Sequence, residues 1–438
     1  MSSTVTTALE ALRSLGSPAE LRAAAQSIDV ASARPKTDVN VHVHLPPNFS
    51  AFTTVADAVA LARAQGVSVL GANNYYDYDV YGEFATLAGE AGVFPVFGLE
   101  IIALIDELLK AGVKLNDPGN PGKIYVCGKG ITRFAPFSDE AMAILQVIRR
   151  NDSARMREMV EKLEQTLASR GTPTGLSESA VIDRVVRRHG SKREQVYLQE
   201  RHVCQAFQEA LFARLPAAGR SQAIATLLGM AKPSFGDDDA VKIQNEIRSH
   251  LLKNGKPAYV PETFIDFPRA AKLILALGGI PCYPLLADGV NPITPFEAPV
   301  ATLIQNVKQL GVHAAEFIPL RNSPEVLVEY VPALRRAGLV VTAGTEHNTL
   351  DLVPVPPTAL GGEPIPAKVA AIFWEGACVV VAHQFLSLHG EVGYVTASGE
   401  PNPAYPDADT RIRSLAKLGA AVLERYAERS QATGKNRP

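Results

Sequence analysis

Short apolar, strand-like segments alternate with helix-like ones along most of this chain, and glycines punctuate the passages between them. Strands are expected at residues 38–45, 67–71, 93–100, 123–127, 280–286, 313–319 and 339–344. Helices are expected between them at 54–65, 81–91, 268–277, 299–310 and 324–337. Such alternation favours a parallel sheet, open or closed into a barrel. The rhythm is broken once, from about 138 to 253, where the pattern is helical throughout. The expected organisation is therefore an N-terminal helical arm (1–37), a barrel built from 38–131 and 257–350, a helical insertion (132–256), and a C-terminal loop with helices (351–438). The apolar stretch 369–388 is interrupted by Glu375, His383 and Gln384 and reads as a buried helix, not a membrane span.

The first strand ends in His42-Val43-His44. Successive side chains of a strand point to opposite faces, so both imidazoles share one face and Val41, Val43 and Leu45 share the other. Two imidazoles at the carboxyl end of a buried strand make half a metal site; two hydrogen-bonded core histidines are the alternative. In a barrel, chemistry gathers at the carboxyl ends of strands. Polar, ligand-capable residues recur there: Asn73 and Asn74, Glu100, Arg321 and Asn322, and Glu346, His347 and Asn348. Tyr125 and Tyr283 lie within the fourth and fifth strands.

With 47% hydrophobic and 20% charged residues, the chain can bury a large core. A net charge of −2 without a basic block gives no indication of nucleic-acid binding. Cys127, Cys204, Cys282 and Cys378 form no CxxC and fit reduced thiols of a cytoplasmic protein. The start of the chain has no signal-peptide pattern, and neither P-loop nor GxGxxG is present. The expected partner is a small-molecule substrate, with the arm and the insertion as surfaces for homo-oligomer formation.

The order of these segments resembles the PHP (polymerase and histidinol phosphatase) family. The matching pieces are Val41-His42-Val43-His44, Gly66-Val67-Ser68-Val69-Leu70-Gly71, the strand ending Gly98-Leu99-Glu100, and Gly344-Thr345-Glu346-His347-Asn348. More narrowly, the turn at 116–122 and the Arg201-His202 helix resemble a longer, divergent PHP-like subgroup. The resemblance implies a distorted seven-stranded (β/α) TIM-like barrel, here with a helical insertion, and hydrolysis of phosphoesters with two or three divalent metals. Several metal-ligand positions depart from the family pattern: Asn73-Asn74-Tyr75 stands for Thr-Asp-His, Tyr125 for a histidine, and Cys282-Tyr283-Pro284 for Ala-His-Pro. Neutral tyrosine is a poor ligand for such metals. What survives is His42, His44, Glu100 and Glu346, enough for about one divalent metal (Mn, Zn or Fe) with an open position.

Around this mononuclear site, Asp77, Asp79 or Glu83, all after the second strand, would supply a general base, and His347 would be an acid–base group, a ligand or a loop histidine. Asn74, Tyr75, Tyr125, Lys129, Tyr283 and Arg321 would bind substrate, with Lys129, Arg133 and Arg321 read as loop cations able to hold an anion. His383 would approach the site only if its helix crossed the barrel mouth. The leading expectation is a metal-dependent hydrolase acting on a small phosphorylated or carboxylated molecule. A metal-dependent lyase or isomerase on a sugar acid and a non-catalytic binding module are the alternatives.

Overall fold

The computed structural model describes residues 3–31, 38–135 and 138–434. The strands are β1 (Asp38–Val43), β2 (Val67–Ala72), β3 (Phe94–Leu104), β4 (Lys123–Lys129), β5 (Ile265–Asp266), β6 (Ile280–Leu285), β7 (Ala314–Phe317) and β8 (Val340–Ala343). They pair in the order β1-β2-β3-β4-β6-β7-β8, with the two-residue β5 beside the far end of β3. The segment after β8 then returns to β1. His42 O accepts from Thr345 N (3.1 Å) and Glu346 N (2.9 Å), and His44 N donates to Glu346 O at 2.7 Å. The sheet thus closes into an α/β barrel of the TIM-like kind, with helices outside it.

One strand departs from the parallel expectation. β4 runs antiparallel to both neighbours, while β1-β2, β2-β3, β6-β7 and β7-β8 are parallel. β3 continues past the barrel to Leu104, and the connection that follows is tied at that same end by Ile105 N to Gly122 O (2.8 Å). The chain therefore re-enters as a hairpin partner instead of crossing back to the other end. The barrel is distorted here, and β4 delivers its side chains from the opposite direction.

Local signals set the helices. Thr54 and Asp57 form a reciprocal capping box at the start of Val55–Ala64, and Asp266 and Ser323 cap Phe267–Ala276 and Pro324–Arg336. The long apolar helix Ala367–Leu388 packs inside the protein against β8 and helix Ala408–Gly434, with 78% of its most apolar window buried. His383 on that helix lies away from the barrel mouth. It accepts from Tyr394 N (2.9 Å) and bonds Gly278 O (2.8 Å).

Two hydrophobic cores form. One fills the barrel and its helical layer and includes Leu9, Leu12 and Leu21 of the N-terminal helices. The other lies within residues 156–260 of the insertion. Helix Asp139–Ser169 joins them, burying Leu145 and Ile148 in the first and Met159 and Leu163 in the second.

β1 is pinched between glycines on both sides. A Cβ at Gly71 would lie 2.4 Å from the Val41 carbonyl carbon, and one at Gly344 would lie 2.3 Å from the His42 Cβ. Neither contact can be relieved by turning a side chain. Gly344→Ala is expected to lower stability by about 1–3 kcal/mol, the usual cost of overpacking. Denaturant unfolding of the variant beside wild type measures this.

Candidate metal centre

The alternation along β1 turns His42 and His44 into the barrel, where both are fully buried. Glu100, from the middle of β3, meets them. His42 Nε2 and His44 Nε2 are 3.3 Å apart, and Glu100 Oε2 lies 3.6 Å from the first and 3.1 Å from the second. Bonds of about 2.0–2.1 Å to one tetrahedral ion place its donors about 3.3–3.4 Å apart. The triangle is therefore the size of one face of such a coordination shell. Two further observations fit. Glu100 Oε2 is buried without a well-formed hydrogen bond, and His42 turns its other nitrogen to a carboxylate, Glu316, at 2.7 Å. A histidine donating Nδ1–H to a carboxylate presents a basic Nε2 of fixed orientation, the usual support of a metal-bound imidazole.

Glu316 itself rests on Lys129. Both side chains are fully buried, and Lys129 Nζ lies 2.5 Å from Glu316 Oε1 and 3.2 Å from Val41 O. The Asn73 amide, with its oxygen toward the ammonium, completes the cradle at 2.9 Å. Burial opposes charge on each group, but their mutual attraction prevails: Glu316 is held below the ordinary glutamate range and Lys129 above the lysine range. Burial likewise opposes protonation of His42, and Lys129 adds to it, yet the Glu316 and Glu100 carboxylates together outweigh them and lift its pKa to about 9. Glu100 is buried too, and the two imidazoles beside it hold its pKa down at about 2. A cation bound at His42 Nε2 would displace the proton that these carboxylates favour there.

Glu346 is not part of the donor triangle. Its carboxylate takes both guanidinium nitrogens of Arg321, one at 3.0 Å, and accepts from Asn348 Nδ2 at 2.7 Å. Glu346 and His347 both adopt left-handed backbone angles, φ 58° and 52°, which non-glycine residues seldom take. This bend carries the Glu346 side chain out to Arg321. Tyr75, Tyr125, Arg321, Glu346 and Asn348 line a cleft of about 480 Å³ with Glu100 at its floor. The Tyr75 ring stacks on His44, centroids 4.9 Å apart.

Five other expected site residues lie elsewhere. Lys129 is not a loop cation but the buried partner of Glu316, because β4 runs backward and carries it under the triangle. Tyr283 points away from the interior and donates to Glu297 Oε1 at 2.9 Å. Asn74 clamps strand ends, with its amide bonding Leu45 N (2.7 Å) and Leu45 O (2.9 Å). Both His347 nitrogens are occupied, Nδ1 by the Thr345 hydroxyl (2.7 Å) and Nε2 by Val353 O (2.9 Å), which leaves it no free acid–base function. Asp77 is fully buried 3.5 Å from Arg149 and does not line the cleft.

Several residues escaped the sequence reading. Glu316 has a signal in the sequence, a lone acid inside the apolar strand Ala314-Ala315-Glu316-Phe317, but it lies within the strand and not among the polar residues that follow it. Arg248 and Lys253, which come from the insertion with Arg201 to form the cleft's second wall, carry no local signal, and the Arg201-His202 helix stands out in the sequence only through its resemblance.

Neither a protein-family model nor a curated protein sequence matches the chain. Among solved structures it is similar to a provisionally assigned metal-dependent phosphoesterase from Bifidobacterium adolescentis, with 16% identity, TM-score 0.49, and 76% of this chain and 94% of that one covered. It is also similar to an amidohydrolase from Chromobacterium violaceum, solved with sulfate and no metal, with 18% identity, TM-score 0.48, and 77% and 97% covered.

Burial, reinforced by Asp79, raises the Asp77 pKa from 3.8 to about 7. A carboxyl with a raised folded pKa costs stability once the unfolded chain would ionise: the loss begins near pH 4, grows to about pH 7 and is complete above it. Asp77→Asn removes that loss. The variant is expected to melt several degrees higher than wild type at pH 8 and close to it at pH 4, as followed by circular dichroism.

Proposed function

We propose that this chain is a cytoplasmic metal-dependent hydrolase of the PHP class, with one divalent metal (Mn, Zn or Fe) held by His42 Nε2, His44 Nε2 and Glu100 Oε2. The single observation that carries the reading is the donor triangle, with edges of 3.1–3.6 Å and the Glu316 carboxylate behind His42. The distant structural likenesses are not needed for it. A divalent ion bound there supplies Lewis acidity, lowering the pKa of water or polarising a substrate oxygen at neutral pH.

The protein's own groups account for the rest. Glu316 holds His42 in one tautomer. Tyr75 packs on His44, walls one side of the cleft and offers a phenol that burial keeps protonated, hence a hydrogen-bond donor. Arg321 gathers positive charge at the rim, where Glu346 now neutralises it. The substrate suited to such a cleft is a small phosphorylated or carboxylated molecule.

Elemental analysis of purified protein, paired with a screen of phosphate-ester and amide substrates, tests this. The expected result is about one divalent metal per chain, with hydrolysis dependent on it, and loss of both in His42→Ala/His44→Ala. Absence of bound metal after incubation with Mn²⁺ or Zn²⁺ would overturn the proposal.

A further inference from the structure

The cleft has a second wall whose charges are not balanced. It is built by the insertion, from helix Glu200–Arg214 and the turn of helix at Arg248–Leu252. Three cations converge there on the Glu200 carboxylate: Arg155 NH2 at 2.8 Å, which also lies 3.8 Å from Glu262, Arg248 Nε at 2.7 Å and Lys253 Nζ at 3.1 Å. Lys123 sits behind them, balanced by Asp117 (3.0 Å) and Glu262 (2.8 Å). Arg201 adds a further guanidinium beside Arg248. Among the described residues it meets no carboxylate at ion-pair distance and makes one long contact, NH1 to Asn245 Oδ1 at 3.4 Å. Five cations thus face three carboxylates. Asp152, beside this wall, has its pKa raised by burial to about 7, and Glu100 and Glu346 face the wall from across the cleft, the latter paired with Arg321.

Such an arrangement is unfavourable for the protein alone. Burial and the neighbouring Arg248 press the Arg201 pKa down, and the Tyr75 and Glu346 side chains across the cleft act on it electrostatically. A half-buried guanidinium packed among like charges gains nothing for stability unless an anion completes it. Its donors and those of Arg248 and Lys253 open on the same cleft as Glu100.

We infer that Arg201, Arg248 and Lys253 form an oxyanion subsite, which binds a phosphate or carboxylate group of the substrate opposite the His42–His44–Glu100 centre. The inference rests on the hydrolase reading for the word substrate, but not for the binding itself. The insertion is then the specificity element of the protein. Guanidinium groups that pair with planar or tetrahedral oxyanions through two N–H donors suit this task.

Calorimetric titration of the full-length protein with inorganic phosphate tests the inference, with succinate in parallel to tell the two oxyanions apart. Arg201→Gln is expected to weaken binding of the preferred anion by about tenfold or more. Its metal content is expected to match wild type and its anion-free melting temperature to be no lower, since a repulsive neighbour is gone. Arg157→Gln, on the insertion's exposed surface and paired with Glu178, is expected to bind like wild type. His42→Ala/His44→Ala protein is expected to keep the anion affinity, which separates the subsite from the metal. Should metal binding fail while Arg201-dependent anion binding persists, the subsite stands and the hydrolase reading falls. The inference is overturned if wild type binds neither anion at millimolar concentration, or if Arg201→Gln binds as tightly as wild type.

Discussion

Lys129 and Glu316 carry opposite charges in a part of the barrel that water does not reach, 2.5 Å apart and fully buried. Removing two ions from water costs several kcal/mol each, and only close contact with further hydrogen bonds offsets it. Here the offset is complete in kind. The ammonium has the Val41 carbonyl and the Asn73 amide as additional acceptors, and the carboxylate has His42. Taking away either member would strand the other as an unpaired buried charge. The pair therefore fixes β4, β7 and β1 relative to one another at the level of the active cleft. It also settles which nitrogen of His42 is free, and through it the orientation of the donor triangle.

The same interaction bears on how many metals the proposed centre takes. A second ion close to His42 would have Glu316 and Cys127 as its nearest additional donors, and these can approach a common point with His42. That carboxylate already balances an ammonium carried by the protein itself. A fixed, non-exchangeable cation thus stands beside the position a second metal would need, and Tyr75 occupies the side toward the cleft. The proposed hydrolase would therefore rely on one Lewis acid, with the cleft walls left to hold the rest of its substrate.

The barrel and the three donors of the centre are legible because they depend on periodicity, whereas the Glu316–Lys129 pair behind them is not. A two-residue repeat places His42 and His44 on one face, and strand ends collect polar residues, which picks out Glu100. Tyr283 shows how narrow that legibility is: its neighbours Cys282 and Pro284 take the inward face, and a shift of one residue exchanges the two. Lys129 was misplaced for a different reason. Nothing local says that β4 runs backward, since its direction is set by the hairpin connection tied at Ile105 and Gly122. Asn74, Asp77 and His347 are polar residues near strand ends that build the strand ends themselves. Arg201, Arg248 and Lys253 meet Glu100 only through the packing of the insertion on the barrel, and no spacing in the chain reports it.

The proposed centre is a single metal on three named atoms, with His42 oriented by its contact with Glu316. Crystals grown with Mn²⁺ and examined by anomalous diffraction test it most directly. One anomalous peak is expected, about 2.0–2.3 Å from His42 Nε2, His44 Nε2 and the Glu100 carboxylate, with Lys129 still on Glu316. Two peaks sharing His42, or a peak bound to Glu316 with Lys129 displaced, would contradict it.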